Sequence, residues 1–139
     1  MSTSEVNLSK QLKNGEKTDW FTILPAELQT SVSRTSGTFY HPEPAAGLVL
    51  KLVLANETLT WTATLDMLST DPAGAATTIY QSAGLSAAGT TLYLIRPGGG
   101  TNGLFTIVPF SLPREFQFKI NVSSGVTNKM DTLLYGCFV

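Results

Sequence analysis

Residues able to carry chemistry are few and scattered in this chain. His41 is the only histidine and Cys137 the only cysteine, so a Ser-His-Asp or Cys-His arrangement would have to use them. His41 is followed by Pro42 in a turn, and no flanking pattern marks a nucleophile elbow. Cys137 lies in an apolar final run, where a free thiol packs as a small hydrophobe. One His and one Cys fall short of the N/S donor set of a zinc site. Glu43, Glu57, Asp66 and Asp71 offer carboxylates for a glycosidase pair, but they occupy turn-like or strand-alternate positions expected of solvated groups. No D-x-D-x-D-G loop provides calcium ligands. Gly98-Gly99-Gly100-Thr101 lacks the Lys-Ser/Thr end that a phosphate-cradling loop requires. The expectation is a protein with no catalytic residues, no cofactor and no metal.

Aromatic residues offer a different chemistry. Trp20, Trp61, Tyr80 and Tyr93 would suit a sugar-stacking platform, yet Trp61 and Tyr93 fall within alternating runs and read as core. Trp20 is the better surface candidate. Its neighbours in DWFTILPAEL, namely Phe21, Ile23, Leu24 and Leu28, favour contact with protein over sugar. Pro25 bars this segment from the middle of a sheet. A second apolar stretch, Leu104 to Phe110, is broken by Pro109 and reads as an edge strand or a packed loop. The candidate partner-binding residues are therefore Trp20, Phe21, Ile23, Leu24, Leu28, Leu104, Phe105 and Phe110.

The elements that must position them are strands. Gly47 to Ala55 puts Leu48, Leu50, Leu52 and Leu54 on one face, and Leu59 to Leu68 alternates Leu59, Trp61, Ala63, Leu65 and Met67 with polar residues. A period of two marks strands with one face in a core. Asn56-Glu57-Thr58 between them is short enough to make the two runs a hairpin. Thr30 to Tyr40 reads as a strand or strand pair interrupted near Ser36-Gly37. Thr77 to Ser82, Thr91 to Arg96, Glu115 to Val122 and Thr132 to Val139 complete seven or eight strands, separated by turns such as Asp71-Pro72-Ala73-Gly74. No helix of convincing length is present. The expected fold is all-β, an antiparallel β-sandwich of jelly-roll or Ig-like kind. Residues 1–29 would form an extended N-terminal arm and residues 30–139 the sandwich domain.

Composition narrows the classes of partner. Of 139 residues, 42% are apolar and only 14% charged, with a net charge of −1. Nucleic-acid binding needs clustered Lys and Arg, so none is expected. MSTSEVNLSK contains no apolar signal core, and no run of about 18 apolar residues occurs, so neither secretion nor membrane spanning is expected. A surface built from Thr, Ser, Asn and Gly suits a β-protein packed beside neighbours better than a lone soluble domain, which charge keeps dispersed.

From Thr38 onward the order of motifs resembles a family of small structural proteins of tailed bacteriophages, of the capsid decoration or cement kind. The marks are a Gly-Leu-Val-Leu strand with a Thr-rich partner (TLTWTATLDML), Asp71-Pro72 with Gly74, and TTIYQSAGLSAAGTTLYLIRPG. Leu112-Pro113-Arg114-Glu115-Phe116 then opens an alternating strand, and TLLYGCFV closes the chain. The resemblance covers about the last hundred residues; Met1 to Gln29 lies outside it and Gly98 to Pro109 departs from it. It implies a β-sandwich on the capsid exterior, made in the host cytoplasm, that binds the major capsid protein and itself. The expected self-association is a trimer, since capsid lattices provide threefold axes. The alternatives are a carbohydrate- or receptor-binding module of a tail or spike, and a hydrolase on a β scaffold.

Overall fold

The computed structural model describes residues 19–29, 32–42, 47–55, 62–98, 103–109, 111–122 and 130–139. Several expectations fall outside these residues: the arm through residue 18, Glu43, the Asn56-Glu57-Thr58 connection with Trp61, Gly99-Gly100-Thr101, Phe110 and Ser123-Ser124-Gly125. Ten strands form among the described residues: β1 (Phe21–Gln29), β2 (Ser33–Thr35), β3 (Phe39–Tyr40), β4 (Leu48–Ala55), β5 (Ala63–Thr70), β6 (Ala76–Gln81), β7 (Gly89–Ile95), β8 (Thr106–Val108), β9 (Glu115–Val122) and β10 (Met130–Phe138).

They make two sheets. The first runs β1-β10-β4-β7-β8, and the second runs β2-β9-β5-β6 with β3 also on β9. The antiparallel pairs nest: β1 with β10, β2 and β3 with β9, β4 with β7, and β5 with β6. The nested pairs are stitched together by β10 on β4 and β9 on β5. Only β7 and β8, among the described strands, pair in parallel. The expected all-β sandwich is what forms.

Alternation dictates which face of each strand turns inward. β4 and β9 bury every second residue, so Leu48, Leu50, Leu52 and Leu54 meet Phe116, Phe118, Ile120 and Val122 in one core with Leu65, Met67, Ile95 and Leu134. Phenylalanines close one end of the gap between the sheets. Phe21 stacks on Phe138 at 5.2 Å, Phe138 meets Phe116 edge-on at 6.2 Å, and Phe39 lies 5.8 Å from Phe21. Such ring pairs add roughly 0.5–1.5 kcal/mol each beyond their buried area.

The hairpin expected over Gly47 to Leu68 does not form. β4 lies between β10 and β7 in one sheet, and β5 between β9 and β6 in the other. Both edges of each strand are therefore already paired, and the seven residues between Ala55 and Ala63 have ample reach for the roughly 10 Å between stacked sheets. The arm boundary moves as well. Phe21–Gln29 is an edge strand on β10, so the sandwich begins before residue 30. Pro25 is accommodated there because β1 is outermost and its register slips twice, between Thr22 and Leu24 and between Leu24 and Glu27. The first slip lets the consecutive Ile23 and Leu24 both face the core.

The interruption expected near Ser36-Gly37 separates β2 from β3, collinear halves of one edge on β9. Ser36 bridges the gap: its amide donates to the Phe118 carbonyl at 2.8 Å, and its hydroxyl accepts from the Phe118 amide at 3.0 Å.

A polar clasp joins the sheets beside β1 and β2. Arg34 donates to the Thr132 carbonyl at 3.0 Å and hydroxyl at 2.8 Å, and also to the Pro25 carbonyl. The Thr132 hydroxyl donates to Gln29 at 3.2 Å, and the Gln29 amide reaches the Ile120 carbonyl at 3.1 Å. Partial burial lowers the Arg34 pKa, opposed by the Glu27 carboxylate at 3.4 Å.

Gly136 faces inward on β10, opposite Phe21 and Leu50. A Cβ there would sit 2.8 Å from both the Phe21 ring and the Ile23 Cδ1. Gly136→Ala is therefore expected to lower unfolding free energy by about 1–3 kcal/mol, read as a reduced urea midpoint at unchanged m-value. An unchanged midpoint would show that Phe21 and Ile23 yield freely.

Candidate functional site

The candidate residues chosen for partner binding do not converge on one site. Ile23 and Leu24 are core residues, 5% and 4% exposed, because the β1 bulge turns them inward; they are unavailable to a partner in this fold. Phe21 packs against the core from the sandwich edge. Trp20 and Leu28 remain exposed at 52% and 44%. Leu104, 76% exposed, and the half-buried Phe105 precede β8, at the opposite margin of the same sheet. Phe110 lies outside the described residues.

What joins these margins is the outer face of the β1-β10-β4-β7-β8 sheet. Register sets its rows. Thr22, Tyr135, Lys51 and Leu92 are neighbours across four strands, as are Cys137, Val49, Leu94 and Ile107 across β10, β4, β7 and β8. Leu133 and Val53 form the row between Lys51 and the Asp131–Ala55 pair. Most of these side chains are half-buried by their neighbours alone, and most are apolar. The outer face of the other sheet differs: Gln117, Lys119 and Asn121 of β9 lie beside Thr64 and Asp66 of β5. Hydrogen bonds tie that face together, Asn121 to Thr64 at 3.2 Å and Gln81 to Asp66 at 2.9 Å. A sheet facing water is normally polar outside; one of these sheets obeys and the other does not.

At the β1 margin the apolar face deepens into an open groove of about 260 Å³ lined by Trp20, Phe21, Thr22, Lys51 and Tyr135. Its lining residues bring together three aromatic rings, one lysine and two hydroxyl-bearing side chains. That combination can stack a planar or apolar group and offer it a cation.

Lys51, Val53, Leu133 and Tyr135 are not among the partner-binding candidates drawn from the sequence. A signal existed: LVLKLVLA and TLLYGCFV carry apolar residues in both phases of the alternation, the pattern of strands covered on both faces. The sugar platform suggested by Trp61, Tyr80 and Tyr93 does not assemble among the described residues. Tyr93 is core, as its alternation implied, and Tyr80 packs against the core from β6. Burial raises the pKa of both phenols; for Tyr93 a hydrogen bond with Ser82 partly offsets this.

Two of the carboxylate candidates, Asp66 and Asp71, have local structural roles. Asp66 is buried and accepts from Gln81. The His41 amide donates to the Arg114 carbonyl at 3.0 Å. Among the described residues no group of three or more His, Cys, Asp or Glu side chains is placed to hold a metal. No described helix is long and apolar enough to cross a membrane. Comparison with protein-family models, curated proteins and solved structures gives no match, so the phage resemblance rests on motif order alone.

Asp71 organises the expected turn between β5 and β6. Its carboxylate accepts from the Ala73 and Ala75 amides at 2.9 and 3.0 Å and from the Thr77 hydroxyl at 3.1 Å, while Gly74 supplies φ of 90°. The Ala75 amide, then the Thr77 hydroxyl, hold the Asp71 pKa below its ordinary value. The folded state thus favours the ionised form. Its stabilisation is complete above the ordinary aspartate pKa and is lost as pH falls through the depressed folded value. Asp71→Ala is expected to lower stability at pH 7 and to flatten that acid-side loss, measured by thermal melts between pH 7 and 2. Parallel pH profiles for the variant and wild type would contradict it.

Proposed function

We propose that this chain is a non-enzymatic virion structural protein, a capsid decoration or cement protein that binds and stabilises the shell of the major capsid protein. In this reading it is made in the host cytoplasm and acts on the capsid exterior as a homo-oligomer, with a trimer matching the threefold axes of the lattice. One observation carries the reading: a broad, half-buried sheet face made mostly of Val, Leu, Tyr and Cys, with Lys51 and Asp131 among them, lies on the outside of a chain with 14% charged residues. Such a face costs solubility in a lone domain and is useful in one that works against neighbours. The nested strand order supports it too. Pairing β1 with β10, β2 and β3 with β9, β4 with β7, and β5 with β6 is compatible with a jelly roll, a form used by viral capsid and lectin domains.

The Trp20–Tyr135 groove favours a second reading, a carbohydrate- or receptor-binding module of a tail or spike. Aromatic side chains in one groove with Thr22 and Lys51 are a usable sugar-stacking surface. A glycan array separates the two: reproducible hits lost in Trp20→Ala would favour this module, and a blank array the shell protein.

The direct test uses shells of the virus's major capsid protein that lack this chain. Purified protein is expected to co-sediment with them saturably and to raise their melting temperature. Leu104→Asp, at a side chain 76% exposed, is expected to weaken attachment at least tenfold, a loss of about 1.4 kcal/mol. Protein that stays in the supernatant at all concentrations would sink the proposal. Removing residues 1–18 spares every described strand, whereas a deletion reaching Leu28 would remove most of β1 and confound folding with binding.

A further inference from the structure

We infer that the outer face of the β1-β10-β4-β7-β8 sheet is covered by a second copy of this chain. The two copies stack face to face about a two-fold axis that sets Lys51 of one over Asp131 of the other.

The face itself selects this occupant. Across the three central strands β10, β4 and β7, two outward side chains are charged, Lys51 on β4 and Asp131 on β10, and they have opposite signs. A two-fold contact is self-complementary: whatever residue i meets on the partner, the partner's copy of i meets in return. One cation and one anion on a single apolar face satisfy that condition. Two lysines or two aspartates would not.

Register supplies the geometry. Lys51 stands beside Tyr135 on β10, and Asp131 lies four residues further along that strand, roughly 13 Å away. Midway between them is the row of Leu133 and Val53. An axis lying between the two sheets and crossing the strands at this row exchanges the Lys51 and Asp131 positions. It also brings Leu133 and Val53 against the same row of the other copy, so the centre is apolar and the ion pairs flank it. The resulting stack is the aligned packing of two sheets about 10 Å apart, the arrangement already used inside each domain.

The extent of the face sets the strength. Four strands at about 4.8 Å and six residues at about 3.4 Å give roughly 400 Å² of flat area per copy. The total over two copies, roughly 800 Å², is below the size of stable specific interfaces and in the class of weak, transient ones, so association no tighter than micromolar is expected. A two-fold contact closes at two copies, and together with the threefold contact proposed above it closes at six.

Sedimentation velocity on the purified full chain, without shells, tests this separately from the capsid reading. An even-numbered assembly, dimer or hexamer, is expected; a strict monomer up to about 200 µM, far above a micromolar constant, or a strict trimer would overturn it. Lys51→Glu and Asp131→Lys are each expected to weaken association at least tenfold, and Lys51→Glu/Asp131→Lys to recover it to within about threefold, because the double exchange restores opposite signs. A double variant no tighter than either single one would refute the pairing. A second measurement does not depend on these charges. With Cys137→Ser as background, Val53→Cys is expected to cross-link between copies through a short bis-maleimide, and Thr64→Cys on the opposite sheet is not. Equal cross-linking at the two positions, or none at Val53→Cys, would overturn the stacking.

Discussion

The structure depends on one constraint: the leucines of β4, the phenylalanines of β9 and their partners on β5 and β10 must share a single gap between two sheets. Each strand meets this by alternation, so a slip of one residue in either central strand would turn its whole buried set to water. At roughly 1.5–3 kcal/mol per large side chain, four such residues on β4 outweigh any local turn preference. Strand order follows. With β10 and β7 occupying the two edges of β4, the chain leaving Ala55 has no place in that sheet and crosses to the other. The constraint also explains β1. Its proline and two register slips would weaken a central strand, but outermost they let Ile23 and Leu24 both reach the gap. Gly136 leaves room for Phe21 above them.

Where the apolar pattern runs out, hydrogen bonds take over. Thr132 occupies an inward position of β10 that alternation would assign to a hydrophobe, and it is fully buried. An unpartnered hydroxyl there would cost about 1–3 kcal/mol. Arg34 and Gln29 remove that cost and bind four strands in doing so, since Arg34 belongs to β2, Gln29 to β1, Thr132 to β10 and the accepting carbonyl of Ile120 to β9. The clasp thus closes the side of the gap that the phenylalanine cluster does not reach. It holds the two sheets in one relative position, which area burial alone, being non-directional, does not specify.

Strand identity was largely legible in the sequence because alternation is local. The runs at Leu48–Ala55, Glu115–Val122 and Met130–Phe138 all became strands close to their expected bounds, and the break at Ser36-Gly37 and the Asp71 turn fell where their residue types demand. Strand partnership was not legible. Asn56-Glu57-Thr58 is compatible with a hairpin or with a crossing between sheets, and the choice is made by β10, more than seventy residues away. For the same reason Ile23 and Leu24 read as a surface patch: adjacent apolar residues break the period of two, and only the bulge against β10 turns both inward. The candidate face was half legible. Val49, Lys51 and Val53 stood in the opposite phase to the leucines, but the width of the face appears only when Leu133, Tyr135 and Leu92 are brought beside them by register.

Edges and faces divide the remaining surface unequally. Three of the four sheet edges are poor templates for a further strand: β1 carries Pro25 and two bulges, β8 is three residues long before Pro109, and β2 and β3 are separated by Ser36-Gly37-Thr38. These are devices that blunt edge-to-edge association. β6 keeps an uncharged edge, but it has only six residues and its register slips at Leu68. The chain therefore resists open-ended growth through strand addition while leaving one broad face apolar. A face, unlike an edge, closes on itself when two copies stack, because stacking consumes it and offers no new one. That asymmetry is what a protein needs if it must associate in one geometry and not polymerise. It places the burden of recognition on Lys51, Asp131 and the row between them.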